Sequence, residues 1–309
     1  MLEIILNTEF LASVLRMTAP ILFAALASLI AQQSGITNMA VEGVMLFAAL
    51  MAAIGTGVGG NAFIGVFCGI GMGIAISLLL AYFKMRMRAD EILIAIAINM
   101  LASGATLFIL FIVTGDRSTS AKLGMNSLPS ISIPLVERIP IIGNIISGQN
   151  LLVYVSFFAV VFIYILLYKT PLGLRIRAVG SNPDAAVSTG VSVEGTRYIA
   201  LTISGILAGL GGSYMSLGYM KVFTKNMVAG RGFIGLAAAS VGNMNPVGSM
   251  LASFLFGTCS AVADILQSTG IPVEFINMTP YIVTIASYSL FTYRIRYGKN
   301  NNKKLVRSL

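Results

Sequence analysis

Eight stretches of this chain read as helices that cross a bilayer, a journey that takes about 20 apolar residues. They cover residues 10–32, 39–58, 61–83, 91–114, 150–168, 197–219, 246–268 and 279–293. A further apolar piece, 232–242, has the length of a half-helix. None shows the polar–apolar alternation of barrel strands. Only 10% of the residues are charged and 57% are hydrophobic, whereas a soluble domain carries roughly a quarter charged residues. Such a chain cannot cover a water-facing surface. The pattern predicts an all-α polytopic transmembrane protein of about 8–10 membrane segments, broken or half helices included, and excludes a soluble enzyme.

The scarce charge has a geography. Lys84, Arg86 and Arg88 lie between the third and fourth segments, and Lys169, Arg175, Arg177 and Arg197 between the fifth and sixth. Arg294, Arg296, Lys299, Lys303, Lys304 and Arg307 crowd the end of the chain. Basic residues gather in cytoplasmic loops, so these three regions are placed in the cytoplasm. The net charge of +9 therefore reports topology and contact with membrane lipid, not a nucleic acid partner. One transmembrane domain over 1–309 follows, with a cytoplasmic loop at 169–197, an extracytoplasmic loop at 115–149 and a basic cytoplasmic tail at 294–309. Parity adds a constraint. Residue 219 lies outside and the tail inside, so either 232–242 with its flanks crosses as well or one of the longer pieces is re-entrant. Near the start, Glu3 and Glu9 precede the apolar run 20–30, and a retained helix is expected there, not a secretory leader.

Much chemistry is absent. There is no histidine, which removes the commonest general base and metal ligand. Cys68 and Cys259 sit singly in apolar stretches and read as packing residues. No G-x-x-x-x-G-K-[ST] stretch exists to cradle nucleotide phosphates. No metal or cofactor is expected on this chain, and an intramembrane enzyme lacks a catalytic set.

Polar groups within spans are functional candidates by default. Asn38, Glu42, Asn99 and Asp264 are such groups, and they suit a pathway for a hydroxylated solute. Each has a structural alternative: a helix cap for Asn38, an interhelical hydrogen bond for Asn99, and structural bonding for Glu42 and Asp264. An ion-coupled transporter using Glu42 or Asp264 is the second functional reading. Small residues at four-residue spacing, Gly65, Gly69 and Gly73 and then Ser204, Ala208, Gly212 and Ser216, predict close helix packing.

The loop 169–197 is the most informative stretch. Asn182 or Ser181 can cap a helix, Pro183 suits its first turn and Asp184 its positive end. Gly190 can close it in a left-handed conformation. A helix so short needs a partner surface, and Val187 is available to one face. The ordered run Arg177-Ala-Val-Gly180-x-Asn182-Pro183-x-Ala185-Ala186, then Gly190, resembles the coupling region of permease subunits of bacterial ABC importers for sugars, nucleosides and branched-chain amino acids. Gly35-Ile-Thr-Asn38-Met-Ala-Val-Glu42-Gly43 resembles the early motif of that family. Ser204-Gly205-x-x-Ala208-Gly209-x-x-Gly212, Gly232-Phe-Ile-Gly235 and Pro246-x-Gly248 are similar to its later half. Arg231 departs from the small or polar residue expected before Gly232.

The resemblance, strongest to the nucleoside type served by a lipoprotein, implies an ABC importer permease fold in the bacterial cytoplasmic membrane. It implies a second, different and longer permease, and ATPase subunits that use ATP and Mg²⁺. An extracytoplasmic binding protein would deliver nucleosides, simple sugars or branched-chain amino acids. Arg175, Arg177, Gly180, Asn182, Pro183, Asp184, Ala185, Ala186 and Gly190 would couple to the ATPase.

Overall fold

The computed structural model describes residues 8–131 and 147–267. The expected span 279–293, the basic tail 294–309 and the centre of the 115–149 loop lie outside them. Ten α-helices occur among the described residues: α1 Thr8–Gln33, α2 Val41–Gly59, α3 Ala62–Met85, α4 Glu91–Thr114, α5 Leu151–Lys169, α6 Pro171–Ser181, α7 Pro183–Ser188, α8 Val193–Ser213, α9 Arg231–Val241 and α10 Pro246–Gln267. Seven of them, all but α6, α7 and α9, are long and apolar enough to cross a membrane. They fall on the first seven spans expected from the sequence, and α9 on the half-helix.

Polar side chains in the connections start most helices. Asn61 accepts from Phe63 N, Asp90 from Ile92 N and Leu93 N, and Asn150 from Leu152 N. Thr170, Asn182 and Ser192 do the same for α6, α7 and α8, and Asn245 accepts from Val247 N at the head of α10. These groups satisfy donors that a helix leaves unpaired. Helices α2 and α9 differ: their caps, Ala40 and Gly230, offer no side-chain hydrogen bond.

The ends of the helices sort into two faces. Lys84, Arg86 and Lys169 share a basic face with the start of α8, and Gln33 joins them by packing on Gly180. At the opposite face the turn between α2 and α3, the 115–131 stretch and the end of α8 are knit together. Asn126 Nδ2 donates to Gly60 O at 2.8 Å, Leu128 N to Leu217 O at 3.3 Å, and Ser120 N to Phe223 O at 2.9 Å. A two-residue antiparallel ribbon, Ser130–Ile131 (β1) with Gln149–Asn150 (β2), closes this side. Helix α8 ends in a π turn, Tyr214–Tyr219, where Met220 N donates to Met215 O.

Helix α8 thus ends at the opposite face, while α10 starts at the basic face, where Gln33 Nε2 donates to Met244 O at 2.9 Å. Residues 220–245 therefore cross the slab as a loop followed by the half-helix α9, the first of the two arrangements that parity allows.

The core packs backbone on backbone. A Cβ placed on Gly73 would meet the carbonyl of Gly205 and lie 2.9 Å from Gly209 Cα. One placed on Gly209 would lie 2.8 Å from Ile70 Cα. The expected stripe Gly65-Gly69-Gly73 does face a neighbour, but on α8 it meets Gly205, Gly209 and Ser213. The Ser204-Ala208-Gly212 stripe instead faces α1 and α2, with Gly212 against Met45 O and Ala48. Two adjacent small faces on α8 let three helices close on it at once.

Candidate functional site

The heads of α2 and α9 lie at depth, where a free N–H costs several kcal/mol because no water reaches it. Distant side chains supply what the local caps do not. Asn99 Oδ1 accepts from Gly43 N at 2.8 Å, and its Nδ2 donates to Met39 O at 3.0 Å. Asn38, 1% exposed, accepts from Ala40 N at 3.1 Å and donates to Ser204 Oγ, also at 3.1 Å. Ser204 passes its own proton to Ala27 O at 2.8 Å. Asn99 and Ser204 lie eight and eleven residues from the basic ends of their helices, about 12 and 16 Å in at 1.5 Å per residue. The chain between α1 and α2 thus turns back into the slab.

Glu42, in the first turn of α2, serves α9. Its Oε1 accepts from Gly230 N and its Oε2 from Gly232 N, both at 2.8 Å. A carboxylate is the group that a helix N-terminus favours. The approach needs glycine at 232, since a Cβ there would lie 2.6 Å from Glu42 Cα. Gly230 takes the left-handed conformation, φ 81°. Three of the four candidate pathway residues therefore meet at one junction of broken helices, each bonded to protein. The sequence signalled that Glu42 needed a partner. It did not show that the partner was the backbone 188 residues away.

On the basic face, α7 forms as its sequence demands but is shorter than the 182–190 stretch. Asn182, not Ser181, is the cap, with Oδ1 accepting from Ala185 N at 3.1 Å. Gly190 has φ 79°, and its N–H reaches Val187 O at 2.9 Å. Asp184, Ala185 and Val187 are exposed, the last at 61%. Ala186 points inward, 4% exposed, so it shapes the turn and offers no docking surface. The helix before it, α6, was not foreseen. Thr170 Oγ1 accepts from Gly173 N, and Ile176 and Val179 are fully buried. Gly180 lies against the backbone of Gln33 and Gly35. Arg177 lies 4.9 Å over the Tyr168 ring, and Arg175 is exposed.

Asp264 stands apart, toward the opposite face. It is exposed and accepts from Tyr219 OH at 3.4 Å, while Arg231 lies 5.7 Å over the same ring. Tyr219 lines a cavity of about 490 Å³ with Arg16, Gln149, Asn150, Tyr214 and Lys221. Arg16 Nε donates to Gln149 Oε1 at 3.2 Å, and Tyr214 OH to Arg16 O at 3.1 Å. Sequence reasoning missed this cavity, although Arg16 and Lys221, two cations near apolar runs, were its visible signal. Among the described residues no cluster of three His, Cys, Asp or Glu could hold a metal ion.

Residues 10–288 match the family described as branched-chain amino acid transport system / permease component. Among characterised relatives, the chain is 33% identical to the guanosine ABC transporter permease protein NupQ of Bacillus subtilis, covering 94% of this chain and 93% of that one. It is 31% identical to the nucleoside ABC transporter permease protein NupC of Lactococcus lactis, covering 96% of each. In fold it is similar to a chain of PsaBC from Streptococcus pneumoniae, with a TM-score of 0.53 at 14% identity over 90% of this chain and 89% of that one. By its sequence, this multi-pass membrane protein belongs to the branched-chain amino acid transport system permease family, whose ABC transporter permeases it matches over nearly its whole length.

Proposed function

We propose that this chain is one of two permease subunits through which an ATP-driven importer carries nucleosides into a bacterial cell. One observation carries the reading: a capped two-helix element, α6 and α7, seated on the basic face with Asp184, Ala185 and Val187 exposed. The basic face is cytoplasmic by the bias of lysine and arginine, which puts this element where an ATPase subunit can grip it. The same bias assigns the basic residues of 294–309 to the cytoplasm. The chain holds no phosphate loop, so ATP and Mg²⁺ are used by the ATPase, and this subunit translocates without hydrolysing. A separate binding protein delivers the solute to the opposite face, where the cavity of Arg16, Lys221, Gln149, Tyr214 and Tyr219 presents two cations, an amide and aromatic rings to it.

Nucleosides are the favoured solute because the two relatives named for guanosine and nucleosides each match at about a third identity over nearly their whole length. Ion-coupled transport is the weaker reading, because Glu42 already spends both oxygens on α9. The test is uptake of radiolabelled guanosine by cells with and without this chain and with and without the ATPase. Uptake should need both and should survive an ionophore. Uptake that persists without the ATPase and collapses with the ionophore rejects the proposal.

A further inference from the structure

Segment 34–43 is fastened on every side by groups far away in sequence. Arg197 Nε donates to Ser34 O at 3.3 Å. Thr37 N donates at 3.2 Å to Glu91, which is itself paired with Lys84 at 3.0 Å. Asn38 is bound to Ser204, and Met39 and Gly43 to Asn99. At the basic face the segment and its neighbour Gln33 meet α6 without an intervening side chain, since a Cβ on Gly180 would meet the carbonyl of Gln33 and lie 3.1 Å from Gly35 N.

The other end of this segment holds α9. Glu42 takes the two N–H groups at its head, and Gln33, just before the segment, takes Met244 O just past its tail. Between those tethers Gly235 lies against Ala24 and Ala25 of α1. The half-helix is therefore carried at both ends by the corner on which α6 sits. Coupling between separated sites travels through such contiguous, rigid contacts.

We propose that Glu42 is a positioning residue for transport: through its two hydrogen bonds, displacement of α6 and α7 moves the head of α9 at mid-membrane. The inference rests on the reading of α6 and α7 as the ATPase docking element. A carboxylate is needed because two N–H groups converge on it. Glutamine offers one acceptor oxygen and turns an amide N–H toward the second donor, and aspartate is a methylene too short.

The test uses the complete transporter in lipid vesicles, with its ATPase, partner permease and binding protein, and compares wild type, E42Q, E42D and Q33A. Substrate imported and ATP hydrolysed are measured together. Loss of one charge-assisted hydrogen bond sets the scale at about ten-fold. E42Q should therefore import about ten-fold less substrate per ATP, with hydrolysis still stimulated by the binding protein. Q33A should shift the ratio the same way from the other tether. A merely structural role predicts less assembled complex with an unchanged ratio, and that result overturns the proposal. If E42Q does not assemble, the ratio in Q33A decides alone, and an unchanged value overturns it equally. A wild-type complex that hydrolyses ATP without importing nucleoside would instead count against the parent reading.

Discussion

The α3–α8 seam yields a test in which two glycines on one helix should behave in opposite ways. Gly73 faces α8, and a Cβ there would press on the Gly205 carbonyl, on Gly209 Cα at 2.9 Å and on Gly209 N at 3.1 Å. All three are backbone atoms, so no rotamer can yield and the helices must part. Overpacking of this kind costs about 1–3 kcal/mol. Gly71, two residues earlier on the exposed side of the helix, has open space where a methyl would point, with nothing within 4 Å. Alanine there only removes the helix penalty of glycine, a gain of roughly 0.8–1 kcal/mol. Gly73→Ala makes the same helix gain, which cancels in the comparison, so the two variants should differ by the overpacking cost alone, about 1–3 kcal/mol. At roughly 2 °C per kcal/mol for a chain this large, the gap is about 2–6 °C in apparent melting temperature. Thermal unfolding in mild detergent, at one scan rate because unfolding is irreversible, measures it. If Gly73→Ala melts at or above Gly71→Ala, the close approach of α3 and α8 is wrong.

Three further outcomes follow. Asn182→Ala removes the cap of a six-residue helix, worth about 1 kcal/mol; it should weaken ATPase co-purification while Asn182→Asp does not, and equal recovery from both would refute the cap's role. Val187→Glu places a charge on the exposed face and should abolish ATPase binding at unchanged melting temperature; a retained complex would move the docking surface elsewhere. Asn99→Leu strands Gly43 N–H and Met39 O, each worth about 1–3 kcal/mol when unsatisfied, so the melting temperature should fall by several degrees. A melt that matches wild type would mean that other groups satisfy this junction.

What the sequence disclosed depended on the range of the physics. Span lengths and the cap of α7 were legible because hydropathy and capping act over a few residues. Asn182, Pro183 and Gly190 each took the part their chemistry assigns. The inward turn of Ala186 was not legible, since which side of a two-turn helix is buried depends on the helices beneath. Nor was α6, whose Ile176 and Val179 are held by neighbours. The junction of Asn38, Glu42 and Asn99 was half legible. Polar groups at depth announce that they have partners, but the partners are backbone groups set by tertiary folding. The stripe Ser204-Ala208-Gly212 was read correctly as packing, while the Gly205–Gly209 face beside it, which meets α3, was visible only as part of a motif.

The π turn at the end of α8 has a consequence for length variation. Tyr214 and Tyr219 both line the outer cavity, yet residues five apart on an α-helix point about 140° away from each other at 3.6 residues per turn. The wider turn, bonded i to i+5, brings both side chains to the same cavity. A deletion of one residue between them would regularise the helix and cost the fold little. It would also leave the two tyrosines four apart on a regular helix, about 40° from each other, so that both keep to the cavity side. At this point in the chain, a single-residue gap among relatives is therefore absorbed by exchanging a π turn for an α turn, with both tyrosines still lining the cavity.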